Sequence, residues 1–350
     1  MNTNTDTRLQ ALQHWAAEQT ELGLQPDTLE VASADASFRR YFRLRSNSAR
    51  HPTVILMDAP PPQENVRPFI DIAGRLWGAG VNVPQVLAAD VDRGFLALTD
   101  LGNSTYLSVL SPDNARSLYQ PAWEAMVKFQ VAAPVAGLPA YDHDRLVTEM
   151  MLFPQWYCEK HRGIVLTDSE RNDLQSLFEN LARDALSQGG VLVHRDYHSR
   201  NLMQVDAELA EQAGWPAGPG ILDFQDAVVG PATYDLVSLL RDAYIEWDRS
   251  DVLDWAIRYW ELAKKAGVPV ASDPAEFFRQ FEWMGLQRHL KVLGIFARLY
   301  HRDGKDGYLK DLPLVMAYTR QVAQAFSVFK PLVRLLDRID DTEVKVGYTF

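Results

Sequence analysis

The sequence predicts an α+β protein in which a small β-rich lobe precedes a larger, mainly helical one. Strand-like runs rich in β-branched and aromatic residues crowd the first hundred positions, apolar spacings of three and four fill the remainder, and the texture changes at Gly102. The 350 residues are 47% hydrophobic and include 9 Trp, 13 Tyr and 15 Phe, enough to build substantial cores. A disordered chain would need low hydrophobicity together with high net charge, so that class is excluded.

The elements follow in order. Leu9, Leu12, Trp15 and Ala16 predict an amphipathic helix within 7–22. Leu29–Ala32, Phe38–Leu44 and Thr53–Met57 read as strands, and Pro60, Pro61 and Pro62 then forbid a regular ladder. A helix over Val66–Trp77 is ended by Gly78 and Gly80. Val83–Ala89 and Phe95–Thr99 are two more strands, and a hinge is expected near 99–102. Helices are expected near 112–131, 142–161, 168–187, 233–246, 250–266, 273–302 and 312–338. Short strands at Val191–Val193, Leu202–Gln204 and Ile221–Phe224 interrupt them, and the Gly- and Pro-rich stretch Asp206–Gly220 reads as a loop. The expected division is 1–102 and 103–350.

The formal charge of −11 opposes general binding to a polyphosphate backbone, so no nucleic-acid partner is expected. Cys158 is the sole cysteine and cannot form an internal disulfide or a thiolate metal cluster. The polar start Met1–Asp6 lacks the pattern of a secretory signal, and no apolar run reaches the ~18 residues of a membrane span. A cytoplasmic protein with no membrane association is expected, with a monomer as the default.

The chemistry concentrates in His194-Arg195-Asp196-Tyr197-His198-Ser199-Arg200-Asn201 and in Ile221-Leu222-Asp223-Phe224. The first string has the H-x-D-x-x-x-x-N spacing of a phosphotransfer catalytic loop. Phosphoryl transfer asks a protein to place an acceptor hydroxyl in line and to neutralise phosphates. Asp196 is the expected base, and Asn201 and Asp223 are hard oxygen donors suited to Mg2+. His194 is assigned to structure rather than to proton transfer. Arg195 and Arg200 suit either phosphate or solvent.

These strings, continued by Gly230, Pro231, Asp235 and Leu236, resemble the aminoglycoside phosphotransferase family, relatives of the eukaryotic-type protein kinases. The resemblance spans nearly the whole chain. It implies a bilobal protein-kinase-like fold with ATP in the cleft, Asp196 as base, Asn201 and Asp223 as metal ligands, and Asp235 as a buried brace of the catalytic loop. By the same resemblance the backbone near Asp100 and Leu101 meets adenine. The segments at 36–43, 57–61 and 287–299 resemble a narrower bacterial subgroup, whose members phosphorylate the anomeric 1-hydroxyl of N-acetylmuramate and N-acetylglucosamine in peptidoglycan recycling. The implied partner is a small amino sugar. Two rivals stay open: a kinase of aminoglycosides or other alcohols, and an inactive nucleotide-binding regulator.

The second rival is motivated by departures from the kinase pattern. The phosphate-covering loop Ala34–Arg39 has no glycine, and Met57 stands where a strand lysine is expected. Ser37 and Phe38 would cover the phosphates, and Arg43, then Arg40 and Arg39, would replace the lysine, with Glu64 as an anchor. Strand alternation puts Arg39 and Arg43 on one face and Arg40 on the other. For the acceptor, Tyr197, His198 and Asp226 are candidates by position. At ~100° per residue Arg288, Lys291, Arg298 and Arg302 fall in an arc of roughly 80°, a basic stripe suited to an anionic sugar substituent, with Lys291 and Arg298 as its expected readers. Trp156, Tyr157, Tyr234 and Trp283 read as core aromatics that also suit a sugar ring.

Overall fold

The computed structural model describes residues 6–34 and 38–346, which pack as two compact units. Residues 1–134 and 200–226 form the first, and 135–199 with 227–350 the second. By packing, therefore, the stretch holding Asn201 and Asp223 groups with the β-rich sheet, and the stretch holding Asp196 groups with the helices.

The first unit is organised by an antiparallel five-stranded sheet. Its strands are β1 (Glu30–Ala34), β2 (Arg40–Arg45), β3 (Thr53–Asp58), β4 (Val86–Asp90) and β5 (Phe95–Thr99), in the order β1-β2-β3-β5-β4. Inward positions of β2 and β3 alternate as the pleat requires: Phe42, Leu44, Val54 and Leu56 are buried. They pack with Phe95 and Ala97 of β5 against Leu12, Trp15 and Ala16 of the helix Thr7–Glu18. Asp6 caps that helix by accepting from the Leu9 N–H. The helix ends at Glu18 rather than running to 22, where a short 3-10 turn, Thr20–Leu22, leads to Gly23 in a left-handed conformation. Helix Arg67–Gly78 follows β3, and Ala115–Ala132 supplies a second long helix.

A two-residue ladder, Leu202–Met203 with Gly220–Ile221, completes this unit. The expected loop over 206–220 contains a helix, Ala207–Ala213, because Asp206 caps its start and Gly214 closes its end at φ 69°. Its Ala213 and the following Trp215 pack on Leu101 and Met203. The strand expected over Ile221–Phe224 stops at Ile221, since Asp223 takes a positive φ.

The second unit is helical around one long helix, Pro274–Asp303, capped by Asp273 and ended by Gly304. It carries a near-continuous buried face from Phe277 to Ala297, the mark of a central helix rather than a surface one. Gly294 is there for close approach: a Cβ would stand 2.3 Å from the Leu152 carbonyl carbon. The segment expected as one helix over 142–161 is two, His143–Met150 and a π-helix, Phe153–His161, the break falling where Pro154 lacks its N–H. Likewise 312–338 divides into Leu312–Ala325 and Lys330–Val346, with Pro331 at the start of the second. Asp168–Ser187 matches its expected bounds and opens on a capping box of Thr167 and Glu170. The helix expected over 233–246 ends at Leu240. A strand that the Gly-Pro pair concealed, Val228–Pro231, pairs with Gly190–Val193 and holds up the catalytic loop.

Candidate active site

The loop after Gly190–Val193 is shaped by a buried carboxylate. Asp235, fully buried in the helix Tyr234–Leu240, accepts from the N–H groups of His194 (2.7 Å) and Arg195 (2.9 Å). Arg195 takes φ 79°, a left-handed conformation that costs a side-chain-bearing residue on the order of 1 kcal/mol or more. Only Arg195 and Asp223 do so among the described non-glycine residues, and both flank the expected chemistry. His194 is buried, and its Nδ1 accepts from the Asp196 N–H at 3.2 Å, which fits a structural role.

Around Asp196 the helical unit gathers cations. Glu149 lies 2.5 Å from Arg195 and 3.3 Å from Lys291, and it also accepts from the Tyr141 hydroxyl. Arg288 donates to the Arg195 carbonyl (2.9 Å) and to the Tyr234 hydroxyl (3.2 Å), and Lys291 reaches that same hydroxyl at 3.0 Å. Burial pushes the Asp196 carboxyl up, but Lys291, Arg288, His198 and Arg195 outweigh it and hold the group down at about 2. Burial dominates at Asp235 instead, raising it to about 7 against its two amide hydrogen bonds. Glu149 stays below its ordinary value, burial being outweighed by Lys291 and Arg195.

The expected basic stripe therefore divides. Arg288 and Lys291 are buried and engaged with Glu149 and Tyr234, so neither is held out for a ligand carboxylate. Arg298 is half-buried, its charge disfavoured by burial and by Arg302. Arg302 is exposed and paired with Asp303. Tyr197 is fully buried edge-on to His194, which corrects the expectation that it faces an acceptor. His198 is half-buried against Tyr244, and Asp226 is exposed beside Gln225. Tyr157 and Tyr234 are core residues, and Trp283 packs on Phe326 and Phe329.

Two features here escaped the sequence reading. Asp242, just past the helix Tyr234–Leu240, accepts from the N–H (2.9 Å) and hydroxyl (2.5 Å) of Ser199. Beyond it, Arg241, Glu246, Trp247, Val252, Tyr318 and Gln321 line a cavity of about 520 Å³, ample for a monosaccharide. No periodicity marks either, because both come from a non-helical segment meeting distant helices.

In the sheet unit, Asn201 and Asp223 face each other, the amide Nδ2 3.4 Å from Asp223 Oδ2. Buried Ile221 and Phe224 flank the turn, Phe224 packs on Phe69 at 4.7 Å between ring centroids, and the Asn201 carbonyl accepts from Leu222. One carboxylate and one amide oxygen, both half-buried, are a donor set that fits Mg2+, which takes few protein ligands and fills its shell with phosphate and water.

The three strand arginines each find a carboxylate. Arg43, the first choice to grip phosphate, makes a two-pronged bond to Asp100 (2.6 and 2.9 Å) and reaches the Gly102 carbonyl, so it ties β2 to the segment that follows β5. Arg40 pairs with Asp58 and Asp6. Arg39 lies 3.5 Å from Glu64, which also accepts from the Phe38 N–H, so the expected glutamate anchor serves the third choice. Phe38 is exposed and Leu101 buried, while Ser37 lies outside the described residues.

Residues 28–268 match the family described as the phosphotransferase enzyme family. The chain is 47% identical to an N-acetylmuramate/N-acetylglucosamine kinase of Pseudomonas putida, over 91% of this chain and 92% of that protein. It is 45% identical to one of Neisseria meningitidis serogroup B, over 92% and 94%. Among solved structures it resembles the GDP complex of aminoglycoside 2'-phosphotransferase-IIIa (TM-score 0.59, 16% identity, 92% of this chain and 100% of that one). It also resembles a Plasmodium vivax ethanolamine kinase (TM-score 0.59, 11% identity, 92% and 88%). At such identities these two likenesses establish the kinase-like fold.

Proposed function

For a chain that belongs to the phosphotransferase enzyme family, we propose phosphorylation by ATP of the anomeric 1-hydroxyl of N-acetylmuramate and N-acetylglucosamine. The observation that carries the reading is Asp196, an aspartate held ionised by Lys291, Arg288, His198 and Arg195 on a loop braced from behind. The named relatives, at 45–47% identity over nine-tenths of the chain, support the choice of sugar.

In this reading Asp196 accepts the hydrogen of the sugar hydroxyl and aims its oxygen at the γ-phosphate. A carboxylate near 2 is a weak base, which suits a loose transition state needing orientation more than early deprotonation. It suits a hemiacetal hydroxyl too, since that group is more acidic than an ordinary alcohol. The sugar sits in the cavity walled by Trp247 and Tyr318, whose faces suit the apolar side of a pyranose, while Glu246 and Gln321 suit its hydroxyl and acetamido groups. Asn201 and Asp223 would hold magnesium, which when bound supplies charge neutralisation at the phosphates. Arg39, backed by Glu64, takes the part of the missing strand lysine, and Arg43 with Asp100 keeps the hinge in shape for adenine. Residues 1–102 serve the nucleotide, and 103–350 carry the catalytic loop and the acceptor.

The test is purified protein with ATP and magnesium against N-acetylmuramate, N-acetylglucosamine, glucose, choline and kanamycin, with phosphorus NMR of the product. A 1-phosphate on the two N-acetylated sugars is expected, with Asp196→Asn lowering kcat by about 10²- to 10⁴-fold. Phosphate on kanamycin or choline alone would overturn the substrate. Full activity in Asp196→Asn would overturn the base.

A further inference from the structure

Asp235 and Asp242 lie seven residues apart, one in the helix Tyr234–Leu240 and one just past its end. They receive opposite halves of the same loop. Asp235 takes the N–H groups of His194 and Arg195, before the base, and Asp242 takes the N–H and hydroxyl of Ser199, three residues after it. Asp242 divides its two oxygens between partners: Oδ2 accepts both Ser199 bonds, and Oδ1 accepts from the Tyr244 N–H at 3.0 Å. Tyr244 in turn stands edge-on to His198, with ring centroids 5.4 Å apart.

Burying a carboxylate costs several kcal/mol unless hydrogen bonds satisfy it. Asp242 is 1% exposed and Ser199 fully buried, and among the described residues Asp242 forms no ion pair. Its three hydrogen bonds therefore meet a charge that an apolar brace would not have introduced. What the carboxylate adds over an apolar contact is direction, since charge-assisted bonds fix angle as well as distance. The same segment continues into the cavity wall. Arg241, next to Asp242, lines the cavity and is locked to Glu282 of the long helix by bonds of 2.8 and 2.6 Å.

We propose that Asp242 is a positioning residue for phosphoryl transfer: through Ser199 it sets the catalytic loop in register with the wall of the acceptor cavity. The proposal rests on the sugar-kinase reading above. The fixed distance it controls runs from a wall that touches the sugar to the aspartate that takes the sugar's hydrogen. A misplacement of 1 Å in such a distance costs on the order of 10²-fold in rate.

The experiment is steady-state kinetics of Ser199→Ala, Asp242→Asn and the double variant with N-acetylglucosamine and ATP, alongside thermal melting. Ser199→Ala removes one hydroxyl and keeps the backbone bond, so it decides the matter even where Asp242→Asn does not fold. We expect kcat about tenfold lower in Ser199→Ala and about a hundredfold lower in Asp242→Asn. The KM for ATP should stay at the wild-type value in both. The double variant should be no slower than Asp242→Asn, because both changes cut one connection. A wild-type kcat in Ser199→Ala, or losses that multiply in the double variant, would overturn the proposal while Asp196→Asn remains impaired. Wild-type protein that turns over none of the sugars would instead overturn the kinase reading, and this proposal with it.

Discussion

Two regions of this molecule handle buried charge in different ways. On and beside the sheet, arginines and carboxylates balance one for one: Arg39 meets Glu64, Arg43 meets Asp100, and Arg8 and Arg40 share Asp58 and Asp6. Around the catalytic loop they are pooled. Arg195 and Lys291 share Glu149, Arg288 binds a carbonyl and a phenol, and Asp235, raised to about 7, withholds much of its charge at neutral pH. Pairing cancels the field and leaves rigidity. Pooling leaves a surplus of positive charge, and that surplus falls on Asp196. The difference separates cations that hold a scaffold from cations that tune Asp196.

The largest effect should come from removing the carboxylate that Arg195 and Lys291 share. Glu149→Gln strands Arg195 and Lys291 without their anion, and breaking a buried pair in this way costs about 3–5 kcal/mol. Urea denaturation reads it, and an unchanged midpoint would contradict the pooling. On the sheet, Arg43→Ala should cost less, about 2 kcal/mol, because Asp100 keeps the Gly102 N–H as a partner. If the two losses were equal, the distinction between paired and pooled charge would collapse.

The next prediction concerns pH. Asp196 is depressed below its ordinary 3.8, so its ionisation stabilises the folded protein above that value, and the contribution is lost as pH falls toward 2. Asp235 has the opposite sign. Raised to about 7, it keeps its proton while the unfolded chain loses one, so stability falls as pH rises from 3.8 to about 7 and then levels. Lys291→Met should raise Asp196 and move the acid limb of kcat to higher pH, whereas Arg43→Ala should leave that limb in place. Asp235→Asn should flatten the melting temperature between pH 4 and 7. The smallest effect belongs to the surface: Arg320→Ala, though it touches Asp337 and Asp340, should change stability by about 0.5 kcal/mol or less, since both carboxylates are exposed.

The catalytic string was legible because its residue types must sit on one loop, where chain spacing alone fixes their order. Asp196, Asn201 and Asp223 needed no tertiary information to be singled out. The arginines did, because strand alternation gives the face a side chain leaves from and not the carboxylate it meets. Alternation predicts a shared face for Arg39 and Arg43, yet β2 begins only at Arg40, and Arg43 reaches Asp100 while Arg39 reaches Glu64. The basic stripe on Pro274–Asp303 was found as a stripe, but helical spacing could not say that its first half is buried and its last residue exposed. Likewise Tyr197 was placed near substrate by adjacency to Asp196, and packing turned its ring inward.

By itself the sequence determined the α+β class, the strands β2, β3 and β5 within a residue or two, and the loop that carries Asp196. Each of these rests on local periodicity or on spacing along a single segment, which the chain sets before it folds. Only the tertiary structure decided the partners: Glu149 against Arg195 and Lys291, Asp242 against Ser199, Arg43 against Asp100. Those contacts join residues 43 to 142 positions apart along the chain. Burial and distance between such residues decide whether a charge is neutralised, tuned or spent, and no local pattern encodes them.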